Sequence, residues 1–84
     1  MPTITIYSSA TCADCKTAKA FFTQHNIPFT DKPVEEEVNL KELGEKYKRL
    51  ATPTIIIDDQ VFVGFSNNLE AIVALKAIAA LIHH

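Results

Sequence analysis

The sequence predicts a small α/β domain: a four-stranded mixed sheet flanked by three helices, in the order β-α-β-α-β-β-α. Three observations carry that expectation. Thr3-Ile4-Thr5-Ile6-Tyr7 alternates polar and apolar residues and is rich in β-branched types, as a half-buried strand requires. Thr54-Ile55-Ile56-Ile57, the polar Asp58-Asp59-Gln60 and the returning Val61-Phe62-Val63 read as a hairpin. Between them lie two segments with helical spacing, and a third follows the hairpin.

Taken in order, Thr3–Tyr7 is the first strand, and the polar Ser8–Thr11 a loop. Asp14–His25 is a helix with Cys15, Ala18, Phe21 and Phe22 on one side. Asn26 suits a left-handed end to that helix, and Pro28 prevents its continuation. Ile27–Val34 is a second strand. Pro33, which lacks a backbone donor, places it at a sheet edge. Glu35-Glu36-Glu37 lead into a second helix, where acidic residues favour the positive end of the dipole. Asn39 with Glu42 has the spacing of a capping box, and Leu40, Leu43, Tyr47 and Leu50 recur at helical intervals. After Gly64 one long helix runs from about Asn67 to Ile82, with Ile72, Leu75, Ile78 and Ile82 as its core stripe and Val73 and Leu81 off it. The first strand–helix–strand unit should be parallel with a right-handed crossover, and the hairpin is necessarily antiparallel.

The chain has 84 residues, 48% of them apolar, enough for one core; residues 1–82 read as a single domain. The balance of eight basic against ten acidic residues gives −2, without the clustered basic face that nucleic acid selects. No apolar run is long enough for a signal peptide or a membrane span, so a cytoplasmic protein with no membrane partner is expected; a monomer is the expected state. His83-His84 read either as native or as a tag remnant.

Cys12 and Cys15 are the only two cysteines, in the order Cys12-Ala13-Asp14-Cys15 at the predicted start of the first helix. In a reducing compartment such a pair is catalytic, redox-sensing or metal-binding rather than structural. Unpaired amides and the positive helix end stabilise a thiolate at Cys12, lowering its pKa below the free value of roughly 8.5. The thiolate is the form that attacks a disulfide. Cys15, one turn further in, is shielded. Asp14 opposes the thiolate by like charge, whereas Lys16 and Lys19 favour it; Asp14 also suits a helix's first turn. Thr11 is a candidate helix cap or sulfur partner. Two cysteines alone do not complete a tetrahedral metal site.

The chain resembles the glutaredoxin branch of the thioredoxin-like proteins over nearly its whole length. Tyr7 ends the first strand shortly before Cys12-Ala13-Asp14-Cys15, Thr52-Pro53 opens the third strand, and Val63-Gly64-Phe65 follows the hairpin. The resemblance implies the thioredoxin-like fold, a cis Thr52–Pro53 bond, and a Thr52 backbone that pairs with an extended substrate. It implies a thiol-disulfide oxidoreductase with Cys12 as nucleophile and Cys15 as resolving thiol, acting on disulfide-containing proteins.

The departures matter for the reductant. Ser8-Ser9-Ala10-Thr11 lacks the lysine usual in glutathione-binding members, Asp14 stands where they carry tyrosine, and Phe65 replaces a second glycine. Ser66, Asn67 and Asn68 follow, and the two asparagines retain side-chain oxygens for a substrate amine. Gly64-Phe65 is similar to the NrdH redoxins, which draw electrons from thioredoxin reductase and pass them to ribonucleotide reductase; in that resemblance Phe65 forms an apolar docking patch beside Cys12. A thioredoxin-reductase-type donor is therefore expected, with no bound cofactor. Glutathione as cosubstrate is the alternative, and an iron–sulfur carrier a lesser one. Thr11, Asp14, Thr52, Pro53, Gly64, Phe65 and Asn67 are the expected substrate-side residues around the dithiol.

Overall fold

The computed structural model describes residues 2–82; the two C-terminal histidines considered above lie outside them. The elements are β1 (Ile4–Ser8), α1 (Ala13–Gln24), β2 (Thr30–Pro33), α2 (Glu37–Lys46), β3 (Thr54–Ile57) and β4 (Gln60–Val63). A 3₁₀ turn (Ser66–Asn68), α3 (Leu69–Ala74) and α4 (Lys76–Ile82) complete the chain. The sheet runs β2-β1-β3-β4. β1 is parallel to β2, with Ser8 opposite Pro33, and antiparallel to β3, with Tyr7 opposite Thr54. β3 and β4 form the expected hairpin, with Ile57 opposite Gln60. This is the thioredoxin-like α/β fold, and Pro33 occupies the edge strand as its missing N–H requires.

Alternation along the central strands makes two cores. Ile4, Ile6, Ile55 and Ile57 point to one face and pack with Ala18, Phe22, Ile27, Phe65, Ile72 and Ile78. Tyr7 and Ile56 point to the other and pack with Leu43. Successive strand residues alternate faces, so one strand supplies both cores. Asn26 ends α1 with φ 56°, as its left-handed tolerance suggested.

Two helices differ from expectation. α2 begins at Glu37 without a side-chain cap. Asn39 Nδ2 instead donates to the Pro33 carbonyl at 3.0 Å, and Glu42 reaches across to β1 and β2. Of the four apolar positions read as its stripe, only Leu43 is fully buried; Leu50 is 79% exposed. The last helix is not continuous. Leu75 is extended (ψ 132°), splitting it into α3 and α4. Within α4, Ile78, Leu81 and Ile82 lie at i, i+3 and i+4 and all contact the first core. Leu81, read as falling off the stripe, is a core-packing residue.

Candidate redox site

Four segments converge at one end of the sheet. The C-terminal end of β1 leads into the dithiol loop. Antiparallel pairing sets the start of β3 against that end, so Thr52-Pro53 is placed there. The end of β4, Val63 opposite Thr54, brings Gly64–Ser66 to the same end, and parallel β2 brings Pro33 and Glu35.

Cys12 is the N-cap of α1. Its backbone is extended (φ −94°, ψ 109°) and its Sγ accepts the Cys15 N–H at 3.1 Å. A thiolate at this position would receive that bond and the positive helix end together. Cys12 is half-buried, whereas Cys15 is wholly buried. The two sulfurs lie at disulfide distance, with Cα atoms 5.2 Å apart, within the usual span of a bridged pair. Because Cys12 itself caps the helix, Thr11 does not; its hydroxyl lies 3.3 Å from Ser9 Oγ on the exposed loop.

Carboxylates anchor the loops on either side of Cys12. Glu35 Oε2 accepts from Ala10 N at 2.9 Å and from Ser9 Oγ at 3.2 Å. The Ala10 amide, its own amide and the Ser9 hydroxyl together hold its pKa below the ordinary glutamate value. Reading the glutamate run only as helix-end charge missed this tie. No local pattern signals it, because Glu35 and Ala10 meet through parallel pairing of β1 and β2. Asp14 receives Phe65 N at 2.7 Å, Ser66 N at 3.2 Å and Ser66 Oγ at 2.5 Å. Partial burial works to raise its pKa. The bonds from Ser66 Oγ, Phe65 N and Ser66 N outweigh it and hold the carboxyl below its ordinary value. Asp14 is thus more than a helix-start residue: it clamps the turn after the hairpin to the dithiol helix.

That turn also needs its glycine. Gly64 has φ +92°, a conformation that L side chains rarely adopt, and a Cβ there would press on the Asn67 side chain. Gly64 N donates to the Pro53 carbonyl at 2.8 Å. Asn68 Nδ2 is engaged by the carbonyls of Val63 and Gly64, at 2.8 and 2.9 Å, so it serves the turn; Asn67 is exposed.

Phe65 corrects the sequence reading. Its ring is 2% exposed and sits among Phe21 (centroids 5.4 Å apart) and Phe22 (6.2 Å). It is a core aromatic beneath α1 and offers no apolar patch to a partner. The hydrophobic gain from burying so large a ring exceeds that of leaving it beside Cys12.

Thr52–Pro53 is cis, with Pro53 buried and Thr52 half-buried. No described residue hydrogen-bonds to the Thr52 backbone, whereas Thr54 Oγ1 secures the segment by donating to the Ala51 carbonyl at 2.7 Å.

Comparison with known proteins agrees with this arrangement. The glutaredoxin family model matches residues 4–62. An uncharacterised glutaredoxin-like protein of the Clostridium pasteurianum rubredoxin operon is 36% identical over 64 residues, covering 75% of this chain and 85% of that protein. The glutaredoxin-like protein NrdH of Lactococcus lactis subsp. cremoris is 32% identical over 62 residues, covering 74% and 86%. A global transcriptional regulator, Spx 1 of Oceanobacillus iheyensis, is 40% identical over 43 residues; the match spans 50% of this chain and only 33% of that protein. The crystal structure of the thioredoxin-like protein BC3987 superposes with a TM-score of 0.74 at 25% identity, covering 84% of this chain and 99% of that one. With its dithiol capping α1 and its family-typical sheet, this chain belongs to the glutaredoxin family and resembles the NrdH redoxins within it.

Proposed function

We propose that the protein is a dithiol oxidoreductase that reduces protein disulfides in the cytoplasm and is itself re-reduced by a thioredoxin-reductase-type flavoenzyme. The asymmetry of the dithiol is the observation that carries this reading: Cys12 is reachable and bonded to an amide of the helix start, and Cys15 is fully enclosed. The Cys12 thiolate attacks one sulfur of the substrate disulfide, and the other sulfur leaves as a thiolate. Cys15 then attacks Cys12 Sγ and expels the second substrate thiolate. Two electrons pass to the substrate and the Cys12–Cys15 disulfide remains. The reductase returns it to the dithiol with electrons from NADPH.

Thr52 is placed to pair its free backbone groups with an extended substrate segment, a short form of strand addition. Pro53 and Gly64 hold that segment and the following turn in place. Thr11 and Asn67, both exposed at this end of the sheet, are substrate-facing in the same proposal. The similarity to NrdH makes ribonucleotide reductase the first substrate to test. The donor assignment is supported by two fixed carboxylates, Asp14 between the cysteines in the chain and Glu35 tied to the loop before Cys12, which disfavour glutathione, an acidic peptide.

The test is to oxidise the protein, supply NADPH, and follow its reduction separately with thioredoxin reductase and with glutathione plus glutathione reductase. Fast reduction by thioredoxin reductase alone is expected; fast reduction by glutathione alone overturns the donor assignment. Cys12→Ser abolishes activity, whereas Cys15→Ser accumulates mixed disulfides visible by mass spectrometry. A Cys15→Ser protein that turned over protein disulfides at the normal rate would reverse the roles.

A further inference from the structure

We infer that Asp14 sets a charge selectivity on the dithiol, excluding disulfides that carry a carboxylate near the reacting sulfur and admitting neutral and cationic ones. The inference rests on the dithiol reading and adds which substrates it accepts. Two features of Asp14 combine. It stands between Cys12 and Cys15 in the chain, and four hydrogen bonds from Phe65 N, Ser66 N and Ser66 Oγ hold its carboxylate against the turn after β4. A mobile side chain could swing away from an approaching anion; this one is tied across to the turn after β4. The same bonds use the backbone and hydroxyl donors of that turn, which would otherwise meet a substrate carboxylate arriving beside Cys12. An anionic substrate thus meets a fixed like charge and finds the adjacent donors occupied. Two cations lie near in the chain, Lys16, which is exposed, and Lys19, which is paired with Asp31 at 3.2 Å; both are the same in every variant compared below.

The test uses the reduced 84-residue chain and three small symmetric disulfides that differ in charge: cystamine (cationic), hydroxyethyl disulfide (neutral) and dithiodipropionate (anionic). In each reaction Cys12 bonds to one half of the probe and releases the other. Cys15 then releases the second half, so two probe thiols form as the protein is oxidised by two electrons. Rates are read by acid quench and mass spectrometry. With each rate divided by that of the same probe and a free small thiol, which removes the difference in leaving-thiol pKa, wild-type protein should prefer cystamine and be slowest with dithiodipropionate. Asp14→Asn should raise the dithiodipropionate rate relative to hydroxyethyl disulfide by roughly 3–10-fold at low salt. That gain should fade toward about 1 M salt, where the Debye length is only about 3 Å. Asp14→Glu keeps the charge and should keep the wild-type order.

Ratios unchanged in Asp14→Asn would overturn the inference while leaving the dithiol function standing. An equal gain in Asp14→Glu would also overturn it, because the effect would then come from a loosened turn. Wild-type protein that reacts with none of the three would overturn the dithiol function itself, and this inference with it.

Discussion

The two faces of the sheet are built differently. On one, four isoleucines of β1 and β3 meet α1, α3, α4 and an aromatic group of Phe21, Phe22, Phe29 and Phe65. On the other, Tyr7, Ile56 and Leu43 form a small core with Val34 and Tyr47 at its margin. A polar network supplements that smaller core. The Tyr7 hydroxyl donates to Glu42, Lys32 Nζ lies 2.6 Å from the same carboxylate oxygen, and Lys32 also stands 5.7 Å from the Tyr7 ring centroid. The face that carries the dithiol helix is held mainly by apolar burial, which carries no titrating group of its own. The face that carries α2 depends in part on ionised and hydrogen-bonded groups, which do titrate.

The largest effect should come from Phe65→Ala. Losing a buried aromatic ring costs about 3–5 kcal/mol, much of the roughly 5–15 kcal/mol that a small domain has. Urea unfolding should show it as a lower midpoint with an unchanged slope. A stable variant with weakened affinity for its reductase would restore the docking role that burial argues against. Leu43→Ala should cost about 2–4 kcal/mol, less if the small core collapses around the gap. A cost above that of Phe65→Ala would mean the smaller face carries more of the stability than its packing suggests.

Tyr7→Phe keeps the ring and removes one hydrogen bond, at a cost of about 1 kcal/mol, or a fall in Tm of about 4–8 °C. Burial first, and then the bond to Glu42, push the Tyr7 phenol well above its ordinary value of 10.0. A group whose folded pKa is raised contributes stability that is present below its unfolded pKa and lost as pH rises beyond it. The wild type should therefore lose stability above about pH 10 more steeply than Tyr7→Phe, and parallel alkaline melting curves would refute this. Asp14 has the opposite sign: its folded pKa lies below 3.8, so its clamp is intact above that value and fails as pH falls through the depressed one. The smallest effect expected is a loss of amide protection at Phe65 and Ser66 below about pH 4, ahead of any change in the core of β1 and β3. Amide exchange followed by NMR would read it, and simultaneous loss of both would show that the turn has no independent clamp.

Much of the architecture was legible because it depends on periodicity. The isoleucine runs, the edge proline and the left-handed Asn26 each follow from local chemistry, and Cys12-Ala13-Asp14-Cys15 announced the dithiol. The break at Leu75 was not legible, since no proline or glycine marks it; Ile72 and Ile78 pack on one core from either side of it. Nor was the capping of α1 by Cys12 rather than Thr11, which depends on where the loop turns. The capping-box reading of Asn39 and Glu42 failed because both side chains find partners outside α2.

The sequence alone determined the strand faces, the order of elements as far as β4 and the Cys12/Cys15 pair, because each rests on residues within a few positions of one another. Tertiary structure alone decided what surrounds that pair. Asp14 meets Phe65 and Ser66 across a separation of about fifty residues, and Glu35 meets Ala10 across twenty-five. Such contacts exist only after the sheet has brought its strand ends together, so no local pattern encodes them. The same holds for Phe65, whose apolar ring suits a docking surface and a core equally until the fold places it beneath α1.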